Sequence, residues 1–268
     1  MPDDAPENAP TPGPERPTER VGGWLGNGRA GLVALAVSVL ALGVAGAPYL
    51  TGGDFGGRVR AYLLANPQVL DEVVAARDVA ARTDRTSGIN AAVARNPGVL
   101  APAAGEPAFG PTDARVTVTE FFDYRCPYCK MAAPEYLELM RANPDVRFVF
   151  REWPVLDQGD DVTSHYAARA ALAAHAQGKY LAVHQALMAQ SALSIDDVDR
   201  ILVANGVDLA RARATIAATD TSRLLADIHT GAATMGLEGT PTFFINGKVT
   251  GTNNPADLAR VIAEAKQG

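Results

Sequence analysis

Cysteine is nearly absent from this chain of 268 residues, which has only Cys126 and Cys129. Two cysteines cannot build a network of structural disulfides, nor a zinc site of four thiolates. Aromatic residues are scarce too, at 6%. Basic residues are outnumbered, 24 Lys and Arg against 30 Asp and Glu, for a formal charge of −6. That balance lacks the basic footprint of a nucleic-acid binder. Hydrophobic residues nevertheless make up 47% and charged ones 20%. Such a composition excludes wholesale disorder and a polytopic membrane protein; the length allows one large globular domain or one domain with appendages, whose α/β class the order of elements below gives.

The appendages lie at the N-terminus. Residues 1–29 carry six prolines among acids, glycines and arginines with no apolar period, as expected of a disordered tail. Ala30–Leu50 has no charge and is long enough for one transmembrane helix, which takes about 20 apolar residues. Ala45-Gly46-Ala47 has the form of a signal-peptidase site, yet Pro48 follows at once; an uncleaved signal anchor is favoured over cleavage after Ala47. Arg16, Arg20 and Arg29 precede the span and Arg58 and Arg60 follow it. This leans towards a cytosolic tail and an exported body. Residues 51–105 form a glycine hinge, a helical segment and a linker. Within 58–95, Asn66-Pro67 marks a helix start. Val69, Leu70, Val73 and Val74 then make an apolar stripe, which either packs on the body or drives self-association through residues 58–95.

The body occupies residues 106–268. Arg115–Phe122 and Val146–Arg151 are β-branched and aromatic, as strands require. A helix from Pro127 to Arg141 lies between them, giving a βαβ unit. A helical stretch from about Asp161 to Met235 follows, with breaks at Gly178, Ser194–Asp197, Asn205-Gly206 and near Asp220. Thr242–Ile245, Asn246-Gly247 and Lys248–Thr250 spell a hairpin with a two-residue turn. Asn254-Pro255 opens a last amphipathic helix. The order is βαβ, helical insertion, ββα.

Cys126-Pro127-Tyr128-Cys129 falls where a strand gives way to a helix. A thiol at a helix N-terminus faces unsatisfied N–H groups and the positive end of the dipole, which favour thiolate. Two intervening residues put the thiols on adjacent turns, so the pair suits thiol–disulfide exchange, with Cys126 the exposed attacking sulfur and Cys129 the resolving one. Zinc would need further ligands, and His165, His175, His184 and His229 lack finger spacing; no metal site is expected. His165, His175 and His184 receive no role. Gly239-Thr240-Pro241-Thr242 is either a simple turn or a cis peptide at the head of a strand.

Phe121–Cys129 together with Gly239–Gly247 resembles the DsbA-like branch of the thioredoxin superfamily, over roughly residues 106–268. The resemblance implies a thioredoxin fold with a helical insertion and a redox-active disulfide Cys126–Cys129. It also implies a cis-Pro241 facing that pair, with the Thr240 backbone binding an extended substrate chain. Glu120 matches the buried acid of many such proteins and would relay the proton of Cys129. From the residues alone, Glu120 shares a strand face with Val118 and Phe122, or is a solvated strand residue. Two departures bear on the direction of electron flow: Pro-Tyr replaces the Pro-His of the strongly oxidising members, and threonine rather than valine precedes the proline, as in disulfide isomerases. Residues 62–67 look like the N-terminal region of relatives that are suppressors of copper sensitivity, some of which oligomerise.

The expected function is a thiol:disulfide oxidoreductase forming disulfides in exported proteins, without a cofactor. It would be a single-pass inner-membrane protein of a bacterium, its C-terminal domain in the periplasm and served by a membrane redox partner. Two alternatives stay open: an isomerase or reductase kept reduced by a membrane partner, and a copper-binding thiol module.

Overall fold

A computed structural model of the protein describes residues 28–50 and 54–268. The expected disordered tail, up to residue 27, and the first hinge glycines lie outside the described residues. The chain divides into two compact units, Met1–Glu72 and Val73–Gly268. In the first, α1 spans Gly28–Leu50 and α2 spans Phe55–Ala65. Asp54 caps α2, its Oδ1 accepting from the Gly57 N–H at 2.6 Å. Among the described residues no helix is long and apolar enough to cross a membrane. The transmembrane helix expected over residues 30–50 is therefore not found.

Helix α3, Gln68–Arg95, begins just after Asn66-Pro67 and runs across the division between the units. Of its stripe, Leu70, Val73 and Val74 are more than half exposed and Val69 is half-buried. Only its C-terminal part is buried, through Ile89 and Ala92.

The remaining elements are β1 Ala108–Phe109, β2 Thr117–Phe122, α4 Pro127–Ala142, β3 Arg147–Glu152, α5 Thr163–His175, α6 Tyr180–Met188, α7 Ile195–Ala204, α8 Leu209–Ala217, α9 Thr219–Met235, β4 Thr242–Ile245, β5 Lys248–Val249 and α10 Pro255–Gln267. The strands form one sheet in the order β1-β3-β2-β4-β5. Strands β2 and β3 are parallel, and every other pair is antiparallel. A parallel pair needs a crossover, which α4 provides. Asn246 (φ 48°) and Gly247 (φ 77°) make the β4–β5 turn, whose left-handed backbone asparagine and glycine tolerate best. Asn246 also ties the hairpin to β2, its Oδ1 accepting from the Thr117 N–H at 2.8 Å.

Strand alternation sorts side chains onto two faces. One carries Val118, Phe122, Phe148, Phe150, Phe243 and Ile245, packed against α4, α5, α6 and α10. Phe121, Phe244 and the neighbouring Trp153 pack on the other side with α9 and Ile89 of α3. Burying each such aromatic or aliphatic side chain contributes about 1.5–3 kcal/mol. In α5, Ala167, Ala170, Ala171, Ala173 and Ala174 are all fully buried, so that small face lets neighbouring helices approach closely.

The Pro/Gly/Ala-rich residues 96–112, where the expected linker meets the body, are more structured than their composition suggested. Strand β1 falls within them and pairs with β3. Gly110 (φ +92°) passes so close that a Cβ would lie 2.1 Å from the Val146 carbonyl oxygen. Arg151, buried beneath the sheet, donates from Nε to Glu106 at 2.5 Å and from its terminal nitrogens to the carbonyls of Val99 and Ala101, both at 2.8 Å. A single guanidinium thus fastens the segment to the body.

Candidate active site

Strand β2 ends at Phe122, and the loop to α4 is held by Asp123. Its carboxylate accepts from the Arg125 N–H (2.7 Å), the Ser164 hydroxyl (2.9 Å), and the N–H groups of Val155 (2.8 Å) and Leu156 (3.0 Å). Four donors on one buried carboxylate leave the loop little freedom. Cys126 is thereby delivered to the N-cap of α4, with Pro127 opening the helix. Proline there costs no hydrogen bond, because the first helical N–H is unpaired in any case.

Both cysteines are free thiols and both are buried. Cys126 was expected to be exposed, but it is only 4% accessible. The Thr240–Pro241 peptide covers it; this bond is cis, and the protonated form of Cys126 donates from its thiol to the Thr240 carbonyl at 3.2 Å. The structure therefore brings Cys126, Cys129, Thr240 and Pro241 to one place. Tyr128 instead points to solvent, 61% exposed.

The two thiols differ sharply in acidity. Cys126 is lowered from 9.0 to about 6. The largest cause is a hydrogen bond from the Cys129 thiol to the sulfur, which outweighs partial burial. The Thr240 side chain and the backbone N–H groups of Cys129 and Tyr128 add to it. The amides at the helix start, expected to dominate, are lesser contributors. Cys129 moves the opposite way, pushed far up by burial, by its bond to Cys126 and by the charge of Glu120. One sulfur is a thiolate at neutral pH and its neighbour keeps its proton.

Glu120 is 2% exposed on the face that carries Val118 and Phe122, not a solvated strand residue. Burial, then the Cys126 thiolate, raise its carboxyl from 4.5 to about 8. Its Oε2 has no hydrogen-bond partner, and neither has the buried Tyr136 hydroxyl. A carboxyl left so bare favours the protonated form.

Sequence reasoning passed over a second buried acid. Glu152 lies across from Phe122 in the β2–β3 register, on the same face as Glu120. Its Oε1 accepts from the hydroxyls of Tyr180 (2.8 Å) and Tyr124 (3.3 Å), and Tyr124 meets His184 Nδ1 at 3.0 Å. Burial raises the Glu152 carboxyl well above its usual range and lowers His184 to about 3, so the histidine is neutral. The alternation Phe148, Phe150, Glu152 carried the signal for the acid. Nothing local carried it for His184, which reaches the network from the helical insertion. Among the described residues no three His, Cys, Asp or Glu side chains gather as a metal site.

A parallel strand pair, a dithiol where its first strand meets the crossover helix, and a cis-prolyl peptide across from the sulfurs define the thioredoxin class of redox folds. Residues 103–264 match the family model described as Thioredoxin, and 54–76 match the copper resistance protein ScsC N-terminal domain. A thioredoxin-like oxidoreductase from Silicibacter pomeroyi is 37% identical, with 64% of this chain and 98% of that one covered and a TM-score of 0.58. The chain belongs to the thioredoxin-like family of thiol–disulfide oxidoreductases, which are enzymes. A linker-deletion mutant of ScsC from Proteus mirabilis, 23% identical, shares the fold over 78% of this chain and 92% of that one at a TM-score of 0.59. DsbA-like proteins are also among the structural neighbours. Among curated proteins, the Na(+)/H(+) antiporter NhaA 3 of Salinispora tropica is 37% identical over 140 residues, 52% of this chain and 21% of the antiporter. The chain thus spans only about a fifth to a quarter of the curated relatives it matches.

Proposed function

We propose that the protein forms disulfide bonds in exported proteins by passing on a Cys126–Cys129 disulfide. A substrate thiolate attacks Cys126 Sγ, the Cys126–Cys129 bond breaks, and Cys129 leaves with the electron pair and takes a proton from Glu120. A second substrate thiolate then attacks the mixed disulfide, and Cys126 leaves as thiolate. The substrate loses two electrons and the pair gains them; a membrane redox partner withdraws them again. The observation that carries this reading is the placement of the Cys126–Cys129 pair at the start of α4 against the cis Thr240–Pro241 peptide, and the lowered Cys126 pKa gives its direction. A stabilised thiolate is a good leaving group and favours the reduced form of the enzyme, the property of an oxidant. The cis Thr240–Pro241 peptide would hold the substrate in extended form against the Thr240 backbone.

One observation supports the opposite direction. Threonine rather than valine precedes the cis-proline, which resembles the isomerases. An isomerase or reductase would be held as dithiol by its partner and would gain from self-association through the exposed stripe of α3. The copper-binding alternative rests on the two thiols alone and on the ScsC-like segment 54–76.

The periplasm is the compartment in which such disulfides persist, and a periplasmic thioredoxin-like protein of Salmonella enterica shares the fold. Anchoring through Ala30–Leu50 rests on the uncharged sequence of that segment, and alkaline extraction of membranes from cells making the full chain tests it. The activity itself is tested by mixing oxidised protein with a reduced, unfolded substrate and following substrate disulfides. Formation at a rate well above that with Cys126→Ala is expected; no difference would remove the reading. The redox state of the pair in cells separates the directions: mostly disulfide for a donor, mostly dithiol for an isomerase or reductase.

A further inference from the structure

A groove of about 440 Å³ opens beside the reactive centre. Pro241 and Thr242 form one wall, the chain after β5 from Thr250 to Asn253 forms another, and α3 closes the third side with Asp78, Arg82 and Arg85. It starts next to the peptide whose carbonyl meets Cys126 Sγ at 3.2 Å, so any chain engaged at that sulfur has the groove as a neighbour.

The wall from α3 is firmly placed. Ile89 is buried among Phe121 and Phe244, and Asn90 Oδ1 accepts from the Val249 N–H at 2.9 Å, capping the free edge of β5. The opposite wall is equally fixed: Thr250 N–H donates to the Phe243 carbonyl at 3.0 Å, and the Thr250 hydroxyl to the Thr252 carbonyl at 2.8 Å. Charge is distributed unevenly along it. Arg85 is already paired with Glu238 at 3.0 Å. Arg82 makes no ion pair among the described residues, is exposed, and borders both this groove and a second hollow of about 300 Å³ that continues from it past Thr250. Asp78, one turn before it on the same helix and likewise without an ion pair among the described residues, borders only the first groove. Arg82 is therefore the one charged residue that borders both hollows, within a chain whose net charge is −6.

We infer that this groove is a substrate subsite in which Arg82 selects extended polypeptides carrying an Asp or Glu a few residues from the cysteine engaged at Cys126. The inference rests on the proposed exchange activity and deepens it by naming the substrate's chemistry. An exposed guanidinium acts mainly through steering and a screened ion pair, so the preference should be modest and salt-dependent.

The test uses the full chain and paired cysteine peptides that differ only in Asp or Lys at two to four residues on either side of the cysteine. A small uncharged disulfide serves as a third substrate. The acidic peptide should exchange about 3–10-fold faster than the basic one at low ionic strength, and the ratio should approach one near molar salt. Arg82→Ala should abolish the preference and Arg82→Glu should invert it, with the rate on the small disulfide unchanged in both. Equal rates for the two peptides, or a preference untouched by Arg82→Glu, would overturn the subsite while leaving the exchange activity standing. Loss of exchange with the small disulfide in the unaltered protein would instead remove the activity, and the subsite with it.

Discussion

The two faces of the sheet treat buried charge in opposite ways. On the face covered by α9, Arg151 is 4% exposed, yet its donors meet Glu106 and two carbonyls, and it lies 5.4 Å from the Phe121 ring centre. On the face covered by α4 and the insertion, Glu120 and Glu152 each keep a carboxylate oxygen without a partner. The first arrangement is what stability asks of a buried ion. Each orphaned oxygen on the second costs about 1–3 kcal/mol if left unsatisfied, and both lie on the thiol side. One face thus satisfies its buried charge, while the other leaves two buried acids bare on the thiol side.

Breaking the thiol face should abolish chemistry and spare the fold. Cys126→Ala is expected to lose all exchange activity while its unfolding midpoint in urea stays near that of the parent. Breaking the other face should do the reverse. Arg151→Ala leaves Glu106 buried without its cation, at a cost of about 3–5 kcal/mol, read as a lower urea midpoint with the Cys126 alkylation rate retained in the folded protein.

The pH dependence of stability sharpens the contrast. Burial raises the Glu120 carboxyl in the folded state, so the folded protein binds the proton more tightly than the unfolded chain. The resulting penalty is absent below about 4.5 and grows as pH rises towards the folded value, about 8 in the reduced protein. Cys126 works in the opposite sense: its folded value of about 6 lies under 9.0, so its contribution increases as pH rises through that window. The two partly cancel in the dithiol form. In the disulfide form Cys126 no longer titrates and no longer repels Glu120, whose value should fall yet stay raised by burial. Oxidised protein should therefore lose stability with rising pH, with at most about 1.4 kcal/mol per pH unit from Glu120, and Glu120→Gln should reduce the slope to what the buried Glu152 adds. An unchanged slope in the variant would place the proton elsewhere.

The smallest effect is expected at Glu152. An amide can still accept from Tyr180 and Tyr124, so Glu152→Gln should change stability by less than about 1 kcal/mol. Tyr180→Phe removes a donor to a buried oxygen and should cost more than that. Urea titration of the two variants gives the order.

How far the sequence reached follows from the range of each signal. The Cys126/Cys129 spacing, the Asn246-Gly247 turn and the breaks in the insertion are local. At the expected break over Ser194–Asp197, Ser194 forms a reciprocal cap with Asp197 that opens a new helix. Alternation along β2 reached as far as the burial of Glu120. Beyond that, local patterns gave out. Cys126 is covered by Thr240, 114 residues away, so its burial could not be read from its own neighbourhood. His184 and Tyr180 meet Glu152 only because the insertion folds back over the sheet. The linker's composition concealed β1 because Arg151, far along the chain, is what holds that segment down.

The acidity of Cys126 tests the account most directly. Alkylation of the reduced full chain across pH, with Cys129→Ala as a second arm, reads the midpoint of that thiol. The expected midpoint is about 6 in the parent, moving upward once the Cys129 hydrogen bond, its largest support, is gone. A parent midpoint near that of a free cysteine, about 8.5, would contradict it.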